Sequence, residues 1–461
     1  MTTTTSALPR HAAPATLTTP TASESTSAGL YTWPFVLVLG YVLVDFGRPH
    51  SWLPILGYLR PGVIVLGGGI LAMLIKRPAI PPLGKYVLAF LGLMLVLAPF
   101  AFNNGMAVIL TKDFALMTVG AILPIMVFVD SFERFRKLLR FWVWIHLPLA
   151  LYSITHRGVG IGSFLADEND FAMAMNMAIP YTFALLAVER GTVRRSFLFG
   201  ALGILVLATA ATLSRGGAVG LAAVMLMLWL RSPRKIRSLL LVLVMGVTLA
   251  ALAPARYWTE IGTISRSTED TDTGYKRLYL WKIAWRMFLD NPILGVGPAN
   301  YQYNNFFYED EKETSRGYHV WGRASHSVYF TVLPEYGIVG TVLFVVIVWK
   351  GIAARRRALR TCRSQLARKD LSAESSERFR FYQQMLTGMD SGIVTFLVTG
   401  AFIAVLYYPH LWVLTAFTAA AVRLVDAEVS RAATDLTAPP APEPVMHPAM
   451  AAVLRRSRTP A

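Results

Sequence analysis

Charge is what this chain has least of. Only 15% of its 461 residues are Asp, Glu, Lys or Arg, against about 25% in an ordinary soluble domain. With 54% apolar residues and a mean hydropathy of +0.48, it reads as an all-α, polytopic membrane protein. Several apolar runs approach the ~20 residues that a spanning helix needs. Cysteine is nearly absent: the single Cys362 excludes an internal disulfide and a cysteine-based metal site. The motifs GxxxxGK[ST], HExxH and GxSxG are missing, so nothing supports ATP-driven transport or zinc proteolysis. Residues 1–29 are rich in Ser, Thr, Ala and Pro and lack the apolar core of a signal peptide; 430–461 have a similar composition. Both read as disordered tails.

The charge that is present is lopsided, with a net +17. Such a balance often marks a nucleic-acid binder. Here the basic residues gather in short loops between apolar runs, the pattern that orients a membrane protein. Some also suit anionic lipid headgroups. Membrane lipids are therefore expected partners, and nucleic acid is not.

Twelve spans are expected near 33–47, 61–75, 86–102, 113–130, 138–155, 169–188, 196–213, 217–231, 238–254, 327–349, 389–407 and 411–426. Loops 76–85, 131–140, 189–195, 231–237 and 350–388 are rich in Lys and Arg, whereas the intervening short loops carry few. The bias puts both termini in the cytoplasm. The chain thus divides into spans 1–9 over 30–254, an outer loop over 255–326, and spans 10–12 over 327–429 with the basic loop 350–388. Long ordered loops in compact proteins are usually functional. Within this one, Tyr275, Leu278, Trp281 and Trp285 recur at helical spacing among Lys276, Lys282 and Arg286. That pattern predicts an amphipathic helix lying in the membrane interface.

A few polar residues stand where chemistry is expected. Arg215, in "LSRGG", is a charge between two apolar runs, costly unless paired or wet. Arg277 offers a planar fork suited to phosphate, although basic faces are common on interfacial helices. His326, in "SHS", sits where an apolar run begins and titrates in the range of a general base; a packing or capping role is the alternative. Glu335 lies inside that run, two and a half turns on, and is expected to pair with another helix or face a cavity. Asp167, Glu168, Asn169 and Asp170 start the 169–188 span, where acids suit the helix dipole; Asn169 and Asp170 could also hold acceptor hydroxyls. Asp270-Thr271-Asp272 looks like a nucleotide-sugar metal motif, but nucleotide sugars are cytoplasmic and this loop is expected to face out. No metal is expected.

"DTGYKRLYLWKIAWRMFLDNPILGVGPANYQ", followed by "SHSVYFTVLPEYGIVG", resembles the O-antigen ligase and polymerase-like family of bacteria. The upstream "LSRGG" and "ENDFAMAMNMAIP" fit as well, and the wording is most similar to the O-glycosylation ligases that accompany exosortase systems. The resemblance implies a helical, GT-C-like glycosyltransferase of the bacterial inner membrane with its active site on the periplasmic face. It implies a glycan donor on undecaprenyl diphosphate, and an acceptor hydroxyl on lipid A-core or another periplasmic glycan or protein. It also implies catalysis without metal or cofactor, centred on Arg215, Arg277 and His326. "SHS" replaces the commoner "HN", so the Asn beside the His is missing. In the mechanism that fits, Arg215 and Arg277 meet the diphosphate, His326 accepts the acceptor's proton, and direct attack inverts the anomeric centre. Trp281 and Trp285 stand at headgroup level, and Tyr301 with Asn304 and Asn305 meets sugar. A polymerase of the same superfamily, a lipid-linked glycan transporter and a structural scaffold are the competing readings.

Overall fold

The computed structural model describes residues 27–232, 235–252, 273–315 and 317–437. Among the described residues all regular structure is helical. A helix stands at each of the twelve expected positions. Among the described residues six helices are long and apolar enough to cross a membrane, and Trp33–Gly47 and Pro61–Lys76 are shorter apolar helices. The candidate metal residues Asp270 and Asp272 lie outside the described residues.

Five helices carry or support the polar residues of interest: α1 (Glu168–Val188), α2 (Arg215–Arg231), α3 (Thr273–Asp290), α4 (Tyr329–Leu366) and α5 (Ala373–Gly400). Helix α1 is the centre of the bundle, with 78% of its most apolar stretch buried; its run "FAMAMNMAIPY" is apolar on every side except at Asn176, whose amide donates to the Gly217 carbonyl at 2.9 Å. Helix α2 packs on α1 and α5 through its glycines. A Cβ at Gly217 would lie 2.5 Å from the Ala172 Cβ, and one at Gly220 would lie 2.3 Å from the Thr399 Oγ1. The helices therefore touch backbone to side chain, as small residues allow in membrane bundles.

The expected basic loop 350–388 is largely helix. Helix α4 runs on to Leu366 and α5 begins at Ala373, leaving a short connection. Part of its charge is taken up inside the bundle. Arg355, 2% exposed, donates to Asp390 Oδ1 at 2.7 Å and Thr418 Oγ1 at 2.9 Å, while Arg231 at the end of α2 reaches Asp390 Oδ2 at 2.8 Å. A buried ion pair of this kind tolerates loss of neither partner. The expected tails are trimmed in the same way. Arg134 donates to the carbonyls of Gly29 and Leu30, holding a turn at Ser27–Leu30. The last helix, Pro409–Thr437, continues past residue 430, where Arg431 meets Glu374 at 3.0 Å.

Helix α3 forms where an amphipathic helix is expected, but a different stripe is buried. Tyr279, Leu280, Ile283, Ala284 and Met287 pack with Tyr301 and Val320 into a small second core. Leu278 and Trp285 are about half exposed. Two of the basic residues interspersed with the expected stripe, Lys282 and Arg286, bond Asp310 at 2.8 and 2.6 Å and hold its carboxyl below the usual range.

This folded segment is fastened to α4 by backbone. Val296 N–H donates to the Pro334 carbonyl and Gly297 N–H to the Glu335 carbonyl; in return Ile338 N–H donates to Pro292. So close an approach needs glycine on both sides. Gly295 (φ 71°) would put a Cβ 2.4 Å from the Glu335 carbonyl carbon, and Gly337 (φ 58°) would put one 2.4 Å from the Ile293 oxygen. The paired motifs "ILGVG" and "PEYGIVG" are the two halves of this lock. Gly295→Ala is expected to cost about 2–5 kcal/mol through strain and overlap. Thermal unfolding, or proteolysis within 291–326, reads the loss. Gly92→Ala, with nothing within 4 Å of its Cβ, is the matched control.

Candidate functional site

Arg215 and Arg277, 62 residues apart in sequence, line one cleft of about 260 Å³ together with Gly274, Leu278, Trp281, Gly216, Val219 and Phe402. Each is placed by local chemistry. Ser214 caps α2, its Oγ accepting from Gly217 N–H at 2.9 Å, which sets Arg215 as the first helical residue. The same hydroxyl donates to Asn169 Oδ1 at 2.8 Å, and Asn169 donates to Asp167 Oδ1 at 3.1 Å. Asp167 caps α1 by accepting from the backbone N–H groups of Asn169 and Asp170. The two helix starts are therefore one hydrogen-bonded unit, and Asn169 is the link that positions Arg215.

His326 is not among the residues lining the cleft, but it stands beside it. The Trp281 Nε1–H donates to the carbonyl of Ser325 at 3.0 Å, and the indole stacks on Phe330 at 5.1 Å. Ser325 Oγ bonds Thr331 Oγ1 at 2.7 Å, and Val328 N–H donates to the Gly400 carbonyl at 2.7 Å. Held on both sides, His326 adopts φ 50°, a left-handed conformation uncommon outside glycine. Its side of the chain is exposed, yet the protein crowded around the ring removes enough water to lower its pKa from 6.5; Arg277 and Arg323 push the same way and Asp167 opposes them. Arg277 and Asp167 are thus both within electrostatic reach of the imidazole.

The other expected substrate contacts are placed differently. Glu335 is 3% exposed, and its carboxylate accepts from the N–H groups of Ala299 and Tyr301, both at 3.1 Å, and from the Tyr407 hydroxyl. Tyr301 is 2% exposed and donates to the Leu280 carbonyl at 2.8 Å. Asp170, 5% exposed, accepts from Tyr408 at 2.8 Å. All three are buried anchors rather than parts of the cleft wall. The role of Glu335 comes from position: an acid beside the backbone lock accepts N–H donors that would otherwise be orphaned. Asn305 is buried too, donating to the carbonyls of Val320 and Arg323. Trp285 is half exposed and does not line the cleft. Sequence reasoning missed Phe402 and the Tyr407–Tyr408 pair. Tyr407 and Tyr408 are adjacent, yet one holds Glu335 and the other Asp170; no spacing in the chain predicts that.

Two guanidinium groups line one cleft and an imidazole stands near it, groups that can hold an anion and accept a proton. Residues 200–345 match the family model described as O-antigen ligase. The matched segment is just under a third of the chain, and it contains Arg215, Arg277, Trp281 and His326 but neither Asn169 nor Asp170. No curated protein matches the chain. The O-antigen ligase match and the apolar helices together indicate a multi-pass membrane protein with a function of the O-antigen ligase or polymerase type.

Proposed function

We propose that the chain is a glycosyltransferase of the O-antigen ligase type, moving a polysaccharide from undecaprenyl diphosphate to an acceptor hydroxyl on a lipid A-core sugar or another periplasmic acceptor. One observation carries the reading: Arg215 and Arg277 share a cleft with Trp281, whose indole N–H holds the carbonyl of Ser325, the residue before His326. The sugar–phosphate bond breaks with its electron pair leaving on the diphosphate. Fixed cations aimed at that growing charge supply the largest catalytic term in many enzymes, and Arg forks fit phosphate oxygens two at a time. The acceptor oxygen attacks the anomeric carbon as its proton passes to the His326 imidazole. The new glycosidic bond is then inverted relative to the donor, and undecaprenyl diphosphate departs. The chain sits in the bacterial inner membrane with this cleft on the periplasmic side, the orientation that the Lys and Arg bias of its loops supports.

Deleting the gene in its host tests the reading. Glycan is expected to accumulate on undecaprenyl diphosphate; a lipid-linked pool unchanged in size and chain length sinks it. Trp281 provides a finer check. Trp281→Phe keeps a ring against Phe330 but frees the Ser325 carbonyl, so His326 drifts. Misplacement of about 1 Å can cost 10²-fold, so kcat is expected to fall roughly 10- to 100-fold with KM and the thermal midpoint little changed. A variant that loses KM or stability instead assigns Trp281 to binding or packing.

A further inference from the structure

Helix α2 carries Arg215 at its first residue and Arg231 at its last. Sixteen rises of ~1.5 Å put these ends about 24 Å apart. The far end opens onto three clefts that run into one another. The middle one, about 410 Å³, is lined by Arg136, Arg140, Arg190, Arg194, Arg195 and Arg380 against only Glu189 and Glu377. Through Arg195 and Gln384 it joins a cleft of about 460 Å³ walled by Pro180, Phe183, Leu186 and Leu228, with Arg231 and Arg237 among its lining. Through Arg140 and Arg194 it joins a third cleft of about 390 Å³ walled by Val143, Trp144, Phe197 and Leu198. Trp144 and Phe197 are exposed and stack at 4.6 Å.

Three acids pair with the six arginines of this saddle: Glu133 bonds Arg136 at 2.7 Å, Glu189 is bonded by Arg140 and lies 3.7 Å from Arg194, and Glu377 is 3.3 Å from Arg190, which leaves an excess of positive charge. Arg237 and Arg380 make no ion pair among the described residues. The bias of Lys and Arg toward one membrane face explains arginines at this end. It does not explain why an arginine saddle should be flanked on each side by a groove with apolar walls. A soluble anion would use the saddle and leave the grooves empty. A lipid with one phosphate would use half of the arrangement.

We propose that this end of the bundle seats an anionic phospholipid carrying two phosphates, of the cardiolipin type. The guanidinium groups of the saddle hold the two phosphates, and the flanking grooves take the acyl chains. Basic pockets between membrane helices recognise such headgroups. The site is separate from the Arg215 cleft and uses none of its residues.

Native mass spectrometry of the full chain in detergent tests this. The chain is titrated with cardiolipin, phosphatidylglycerol and phosphatidylethanolamine, and with inorganic pyrophosphate as competitor. Cardiolipin is expected to be retained over both other lipids and not to be displaced by pyrophosphate. Arg194→Gln with Arg380→Gln should weaken it by on the order of fivefold for each guanidinium removed. Arg380→Glu alone, on an exposed residue, should also weaken it if the double variant folds poorly. Equal retention of phosphatidylethanolamine, or unchanged binding by both variants, overturns the site. Equal retention of phosphatidylglycerol overturns the two-phosphate assignment. Displacement by pyrophosphate shows a soluble-anion site instead of a lipid seat.

Discussion

Replacing His326 with Ala is expected to slow glycan transfer by about 10²–10⁴-fold, the usual contribution of a positioned general base. The protein should still reach the membrane at its normal level, because His326 is exposed and the contacts that fix this stretch belong to its neighbours Ser325 and Val328. The φ of 50° complicates the alanine, since a left-handed backbone costs roughly 1–2 kcal/mol for most side chains. His326→Asn removes that objection, as Asn visits this region readily and has no imidazole to accept a proton. Both variants should behave alike if the base is what matters. The lipid-linked glycan pool then distinguishes the two chemistries. Long chains accumulating on undecaprenyl diphosphate mark a ligase; single repeat units mark a polymerase. Near-normal transfer by the Asn variant would remove His326 from the chemistry.

Much of this arrangement is legible in the sequence because it depends on residue types at fixed local positions. The helices arise from apolar runs punctuated by loops, and His326 stands where one of those runs begins. Arg215 stands out because a charge between apolar runs needs a reason, whereas Arg277 looks like one basic residue among several on an interfacial helix and is singled out by the family resemblance. What the sequence hides depends on long-range pairing. Glu335 looks like a cavity residue until the loop carrying Ala299 and Tyr301 folds onto it. Arg355 looks like one of many loop charges until Asp390 and Thr418 surround it. The buried stripe of α3 is hidden for a related reason. Both Tyr279–Ile283–Met287 and Leu278–Trp281–Trp285 recur at helical period, and only the small core around Tyr301 and Val320 decides which turns inward. Periodicity shows that a helix has an apolar face; its neighbours decide which face that is.

Two substitutions at Arg277 separate its two roles. Arg277→Lys keeps the positive charge beside His326 but replaces a planar fork with a point charge. Arg277→Gln removes both. Transfer is expected to fall in each, by roughly 10²-fold or more if the fork contacts the diphosphate as charge grows on it. The pH profiles should differ. The imidazole must be neutral to accept a proton, so activity falls on the acid side as pH drops through the His326 pKa. That pKa is held below 6.5 first by loss of water around the ring and then by Arg277, with Arg323 acting in the same sense and Asp167 against it. In the Lys variant the acid limb should stay where it is in the native protein. In the Gln variant one of the lowering influences is gone, the His326 pKa rises, and the limb moves to higher pH. A limb that moves in neither variant would place the titrating group elsewhere, and full activity in the Lys variant would reduce Arg277 to a general attraction for the anionic donor. Loss of activity in both, with the limb displaced in Gln alone, requires one guanidinium to bind the leaving group and to tune the base at once. The placing of Arg277, lining the cleft with Arg215 while within electrostatic reach of His326, makes that double use possible.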